Sequence, residues 1–216
     1  ACAPYRRLHL CHHNLETINN TTSTAKHDLL AEVCMAAKYE GESITRYHQQ
    51  HKRTNPGTAS QLCTVLARSF ADIGDIIRGK DLFLGNDEEK KKEMKDENLK
   101  KIFGKIHNEL TRTATSDKNG ELQKCYKDTE NYFQLREDWW TANRHTVWEA
   151  ITCDAQGFDY FRATCNDTGR GGAQAKDKCR CGDDKKTGKK PGDVNIVPTY
   201  FDYVPQYLRW FEEWAE

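Results

Sequence analysis

The sequence predicts a mainly α fold: a disulfide-containing helical bundle with a long irregular cysteine-rich loop. Three observations carry this. Apolar residues recur at helical spacing over four long stretches, nine cysteines occur in 216 residues, and the helical periodicity stops between 154 and 197. The length fits one large domain or two small ones and is enough to bury a core. With 37% apolar and 31% charged residues, the composition suits an extended helical domain with broad solvated faces.

The first helix is predicted over 24–39, where Leu29, Leu30, Val33, Cys34 and Ala37 share a face. Gly41 is a plausible stop, with the helix resuming through Arg46 to His51. Asn55-Pro56-Gly57 signals a turn. A second helix from Ala59 to Arg78 carries the stripe Leu62, Leu66, Phe70, Ile73 and Ile77, and Gly79 sits where a C-cap belongs. A third, over 87–112, opens on the charge run Asp87 to Glu97. It then turns amphipathic through Leu99, Ile102, Phe103, Ile106 and Leu110. Ser116 to Gly120 ends it. A fourth, over 128–152, carries Tyr132, Leu135, Trp139, Val147, Trp148 and Ile151. A last helix follows Pro205, with Leu208, Phe211 and Ala215 expected to face inward. Four long stripes make a helical bundle.

Between these helices, residues 154–197 hold seven of the fourteen glycines. A loop this long in a compact domain is commonly functional or disordered. The four cysteines from Cys153 to Cys181 predict that disulfides restrain part of it.

Composition excludes several functional classes. Lys plus Arg and Asp plus Glu number 33 each, so net charge points to no nucleic-acid partner, and charged recognition must come from local clusters. No apolar run approaches the ~18–20 residues that span a bilayer, and no signal-peptide pattern opens the chain. The residues at hand are therefore expected to be soluble and not to insert in a membrane. Both ends fall inside motifs, which predicts a piece whose targeting and anchoring signals lie elsewhere. Cys179-x-Cys181 is the one close cysteine pair, and no Cys-x-x-Cys occurs. His12 and His13 follow Cys11 directly, and such adjacent side chains rarely converge on one tetrahedral ion. A disulfide framework in an oxidising compartment is favoured over metal, and no metal or cofactor is expected. Glycosylation sequons at Asn19, Asn20 and Asn166 agree with an exposed surface.

Each candidate for chemistry also has a structural role open to it. Asp72 and Asp75 share a helix face and could form a catalytic or metal-binding carboxylate pair. They flank Ile73 and Ile76, Arg68 is placed to pair with Asp72, and no nucleophile or base accompanies them. A scaffold role is favoured, and no catalytic residue is assigned. Arg6, Arg7 and His9 could bind an anion, with salt-bridge bracing the favoured alternative. Trp139 and Trp148 lie on a buried stripe. Trp140 is displaced from it and is the better contact candidate for a sugar. No phosphate loop, nucleophile elbow or zinc-protease motif appears. Between Lys176 and Lys190, by contrast, seven basic residues (Lys176, Lys178, Arg180, Lys185, Lys186, Lys189 and Lys190) stand against three acidic ones. Such a loop attracts sulfated polyanions, the alternative being a solvated loop whose charges only preserve solubility. The run Lys90 to Lys92 is balanced by Asp87 to Glu89.

Five stretches, in order, are ACAPYRRLHLC at the start, ARSFADIGDIIRGKDLF at 67–83, LREDWWTANRHTVWEAITC at 135–153, Cys-Arg-Cys at 179–181, and DYVPQYLRWFEEWAE at 202–216. Together they resemble the Duffy-binding-like adhesion domains of malaria parasites, most closely the alpha class at the head of the variant erythrocyte membrane protein 1 family. The resemblance implies a helical, cysteine-rich, extracellular domain. On that pattern, 1–22 is the end of a cysteine-rich first subdomain and 23–153 the helical bundle of the second. Residues 154–197 are the variable cysteine-containing loop, and 198–216 the start of a third subdomain. It also implies that Cys2 and Cys11 pair with cysteines further upstream and that Cys63 pairs with Cys153. The pairing of Cys34, Cys125, Cys165, Cys179 and Cys181 stays open.

In function the resemblance implies adhesion, not catalysis. The domain would sit on the outer face of the infected red cell, within a membrane-anchored, antigenically variant protein. It would bind host surface receptors, protein or sulfated and blood-group glycans, in cytoadhesion or rosetting. One alternative is a binding-silent scaffold domain of the same antigen. Another is a secreted disulfide-rich enzyme, for which only Asp72 and Asp75 speak.

Overall fold

The computed structural model describes residues 2–12, 14–15, 18, 25–54, 62–83, 89–113, 122, 124–155, 165, 175, 178–181 and 197–215. Among these are six α-helices: α1 (Tyr5–Leu8), α2 (Ala25–Thr54), α3 (Leu62–Arg78), α4 (Glu89–Thr113), α5 (Phe133–Ile151) and α6 (Gln206–Ala215). A 3-10 turn, Phe201–Tyr203, precedes α6. Most of the predicted 154–197 loop and all three sequons lie outside the described residues.

At the centre is α3. Nearly every side chain on it is buried, because α2, α5, the 3-10 turn, α1 and α6 all pack around it. Its end is a Schellman motif. Gly79 takes φ 74°, its N–H donates to the Ile76 carbonyl, and the Lys80 N–H donates to that of Asp75 at 2.8 Å. The aromatic core forms where α3 meets α5. Phe70 stands 5.0 Å from the Trp140 ring and 5.1 Å from the Trp148 ring. The helix that carries Asp72 to Ile77 thus packs on the helix that carries Trp148, and Trp148 is fully buried, as its place on the apolar stripe predicts. α4 adds Leu99, Ile102, Phe103 and Ile106, with Phe103 set edge-on against Trp139.

Three expectations about helices change. α2 does not stop at Gly41 but continues to Thr54. A Cβ built on Gly41 would lie 2.0 Å from the Ile151 carbonyl oxygen, so this glycine is where α2 and α5 touch backbone to backbone. The fourth helix begins at Phe133 rather than near 128. The Asp128 carboxylate accepts from the N–H groups of Glu130, Asn131 and Phe133, folding the chain into a turn, and Tyr132 enters the helix from φ 58°. In α6, Leu208, Phe211 and Ala215 face out, Phe211 being 71% exposed. The buried residues are Gln206, Arg209 and Trp210, because this helix docks through hydrogen-bonding groups.

Candidate receptor-binding site

The basic loop is anchored at its middle. Cys179 and Cys181 are buried and disulfide-bonded, to Cys63 and Cys165 respectively. The implied Cys63–Cys153 bond is thus corrected. Cys63 lies in the first turn of α3, against the 178–181 segment, and the Trp148 indole N–H donates to the Cys179 carbonyl at 3.1 Å. Lys178 and Cys179 take φ 56° and 55°, the sharp backbone that turns both sulfurs inward. Cys153 lies just past the end of α5 as a free, half-buried thiol, which burial, Asp154 and Glu42 hold above its ordinary pKa.

Of the seven basic residues proposed to meet a polyanion, Lys178 and Arg180 are described; Lys176, Lys185, Lys186, Lys189 and Lys190 lie outside the described residues. Arg180 reaches back to the C-terminal end of α5. Its Nε donates to Thr152 Oγ1 at 2.8 Å and its Nη2 to the Glu149 carbonyl at 2.7 Å. There it satisfies a carbonyl near the negative end of the helix dipole.

On the opposite side of α3, Asp72 and Asp75 form a hub. Asp72 Oδ2 accepts from Arg6 at 2.7 Å, while Oδ1 accepts from Arg209 at 2.7 Å and Gln206 at 3.1 Å. Asp75 accepts from Arg78 at 2.7 Å and Arg209 at 2.5 Å. Burial by itself would raise the Asp72 carboxyl, but Arg6, Arg209 and Gln206 reverse this and hold it below the usual carboxylate range. For Asp75, burial outweighs Arg209 and Arg78 and pushes the group up to about 6. All four carboxylate oxygens are engaged inside the fold, which leaves none turned to a substrate. Arg6 also grips Glu213 at 2.9 Å, and Arg7 pairs with Asp81. The arginines of the opening motif therefore brace it.

A second anchor lies beside the hub. Asp202 accepts from Arg144 at 2.7 Å and from the Trp140 indole at 2.9 Å. Trp140 is 0% exposed and lies flush on Gly74, where a Cβ would come within 2.7 Å of its ring. The expectation of Trp140 as a surface contact is corrected. Its displacement from the apolar stripe reflects its hydrogen bond to Asp202. The partners Asp202, Gln206 and Arg209 escaped the sequence reading. The spacing of Gln206 and Arg209, one helical turn apart, was the signal available. The exposed rings in this region are Tyr200, Tyr203 and Tyr207.

Among the described residues, one group could offer three metal-ligand atoms within 4.8 Å of one another: Glu42, Cys153 and Asp154. Glu42 is already paired with Lys38 at 3.4 Å.

Comparison with known proteins places this geometry. The family model described as Duffy binding domain matches residues 1–209. Among solved structures, the NTS-DBL1(alpha-1) domain of PfEMP1 from the Plasmodium falciparum varO strain is similar, with 42% identity and a TM-score of 0.72; all of this chain and 43% of that one are covered. The varO double domain of NTS-DBL1-alpha and CIDR-gamma is 40% identical, with a TM-score of 0.73, covering 100% of this chain and 28% of that one. An ICAM-1-binding PfEMP1 DBLbeta domain is 33% identical, with a TM-score of 0.65, covering 98% and 41%. The chain thus spans less than half the length of the solved chains it matches. No curated protein sequence matches it.

Proposed function

The chain belongs to the Duffy binding domain family, and on that premise we propose that it is a non-enzymatic, extracellular adhesion module of a PfEMP1-type surface antigen that binds a host cell-surface receptor. The observation that carries this reading is the match over residues 1–209, to a family whose similar members include an ICAM-1-binding domain. The hub supports it: the one carboxylate pair that spoke for an enzyme is locked in structural ion pairs. No described helix is long and apolar enough to cross a membrane, which agrees with display by an anchor outside these residues.

The binding surface we assign is the basic loop, with a sulfated glycan as its ligand. Lys176, Lys178, Lys185, Lys186, Lys189 and Lys190 would meet the polyanion. Arg180, whose guanidinium donates to Thr152 and Glu149, would position the loop. The Cys63–Cys179 disulfide ties the backbone beside Lys178 and Arg180 to the bundle, and Cys165–Cys181 cross-links the loop to itself, which lowers the ordering cost of binding there.

A heparin column tests the reading. The chain is expected to be retained at low salt and released steeply as salt rises, because the attraction is largely Coulombic. Reversing Lys185, Lys186, Lys189 and Lys190 to Glu should abolish retention while leaving the helical circular-dichroism signal intact. Unchanged retention in that variant moves the site elsewhere. No retention by the wild type, on heparin or on receptor-bearing cells, favours a binding-silent scaffold.

A further inference from the structure

Five aromatic rings stand open on the outer side of the 3-10 turn and α6. They belong to Tyr200, Tyr203, Tyr207, Phe211 and Trp214, each 44% to 71% exposed. They form one run. The Tyr200 and Tyr203 rings lie 6.4 Å apart, Tyr203 and Tyr207 line one cavity, and Tyr207, Phe211 and Trp214 follow at i, i+4 and i+7 along the helix. The Trp214 indole N–H donates to the Cys2 carbonyl at 3.0 Å, which fixes that ring. At the ~150–250 Å² that an aromatic side chain presents, the five rings and the partly exposed Leu82 and Val204 beside them leave roughly 700 Å² open. The largest apolar patch on a typical monomer is ~300–600 Å², and each partner in a standard interface gives ~600–1,000 Å².

This face is complementary to itself. At its first end, Leu82, Tyr203, Val204, Pro205 and Tyr207 enclose a cavity of about 260 Å³, more than the ~150 Å³ that holds a benzene ring. Phe211, the most exposed of the five rings, projects one helical turn further along. A second copy laid antiparallel across α6, on a two-fold axis midway between Tyr207 and Phe211, sets the Phe211 ring of each copy over the cavity of the other. Charge matches under the same axis. The exposed Lys80 lines the cavity end, and the exposed Glu212 lies in the second half of α6. The axis carries each Lys80 toward Glu212 of the other copy. The chain has a formal net charge of zero, so no long-range repulsion opposes the approach. A membrane fits this face less well. Interfacial helices carry cations on their polar side, whereas α6 carries Glu212 and Glu213 and buries its arginine.

We propose that the aromatic face of the 3-10 turn and α6 is the interface of an isologous homodimer, with Phe211 of each copy seated in the cavity of the other. This goes beyond the adhesion reading and does not depend on it. A dimer presents the receptor-binding surface twice, which raises avidity wherever both surfaces engage.

Sedimentation velocity on this chain tests the dimer, with the exposed thiols of Cys2 and Cys125 alkylated so that no intermolecular disulfide forms. The mass should rise with concentration from the 24.9 kDa of one chain to twice that value and stop there. Phe211→Ala should weaken the Kd at least ~30-fold, as loss of a central aromatic anchor does. Tyr47→Ser, at an exposed ring on α2, should leave it unchanged. Lys80→Glu and Glu212→Lys should each weaken it roughly tenfold, and the two together should restore it, because the swap re-forms the pair. Circular dichroism checks that each variant keeps its helices. A monomer up to ~100 µM, where a standard-size interface is well populated, overturns the proposal. So do growth beyond twice the mass, a Kd unmoved by Phe211→Ala, and a double charge swap that fails to rescue. A monomer that binds vesicles of phosphatidylcholine and phosphatidylserine also overturns it and makes the stripe a membrane face. Heparin retention by a chain that stays monomeric overturns the dimer alone and leaves the adhesion reading intact.

Discussion

Arg209 and Asp72 stand 137 residues apart in the sequence and meet at 2.7 Å, with neither side chain more than 1% exposed. Arg6, from the opening motif, reaches the other oxygen of the same carboxylate. One aspartate on the central helix thus fastens the first helix and the last to the bundle. This explains why the stretch ARSFADIGDI carries two acidic residues on a helix that is otherwise packed inside.

Asp72→Ala leaves Arg6 and Arg209 without this buried partner. Removing one member of such a pair costs roughly 3–5 kcal/mol. Urea denaturation should show the midpoint falling with little change in slope. The exposed Leu208→Ala, on the same α6, should stay within about 0.5 kcal/mol of wild type. Equal effects of the two substitutions would refute the hub.

The two aspartates should respond to pH with opposite signs. Asp75 in the folded chain lies near 6, above its ordinary 3.8, so the native state binds its proton more readily than the unfolded state does. Its contribution to stability is fully present below 3.8 and is lost as pH rises through about 6. Asp72 lies below 3.8, so its contribution is present above that value and is lost as acid protonates the folded group. The stability of wild type relative to Asp75→Asn should therefore decline between pH ~4 and ~6 and then level off. Relative to Asp72→Asn, the wild-type advantage should instead shrink as pH falls below ~4. Denaturation midpoints across that range measure both, and parallel profiles for the two variants would contradict the assignment.

The Cys63–Cys179 bond closes a sequence separation of 116. In the chain-entropy account a loop of that length contributes about 5 kcal/mol, against about 3 for the 16-residue separation of Cys165 and Cys181. Peptide mapping without reduction should recover 63 linked to 179. Alkylation of the intact chain should label the exposed Cys2 and Cys125 before the half-buried Cys153. A linked 63–153 peptide would reinstate the pairing that the family resemblance implies.

The sequence made the bundle legible where burial is apolar. Stripes such as Leu62, Leu66, Phe70, Ile73 and Ile77 repeat at the helical period, and all five are buried. It failed where burial is polar. Gln206, Arg209, Asp202 and Arg144 are as buried as the core leucines, yet hydrophobic periodicity assigns such residues to the surface and turned the outer face of α6 inward. Trp140 was misplaced for the same reason, since its indole N–H needed an acceptor contributed 62 residues away. The disulfide partner of Cys63 was illegible because a pairing depends on three-dimensional approach, which spacing does not encode. The scaffold role of Asp72 and Asp75 was legible from the absence of any catalytic company.

Gly41 gives the sharpest test of the packing, because two effects there oppose each other. In an exposed helix interior, Gly→Ala stabilises by roughly 0.5–1 kcal/mol, since glycine loses more backbone freedom on folding. At Gly41 the new Cβ would fall 2.0 Å from the Ile151 oxygen and 2.8 Å from its carbonyl carbon. These are backbone atoms at the end of α5, so they cannot swing aside as a side chain would. α2 and α5 must separate, loosening the contact that positions Val33, Ala37 and Trp148 in one core. Gly41→Ala is therefore expected to destabilise by roughly 1–3 kcal/mol, the usual cost of overpacking. A thermal or urea midpoint at or above wild type would mean that α2 and α5 do not cross here. Gly41 would then be an ordinary interior position of α2, where alanine is the better helix former.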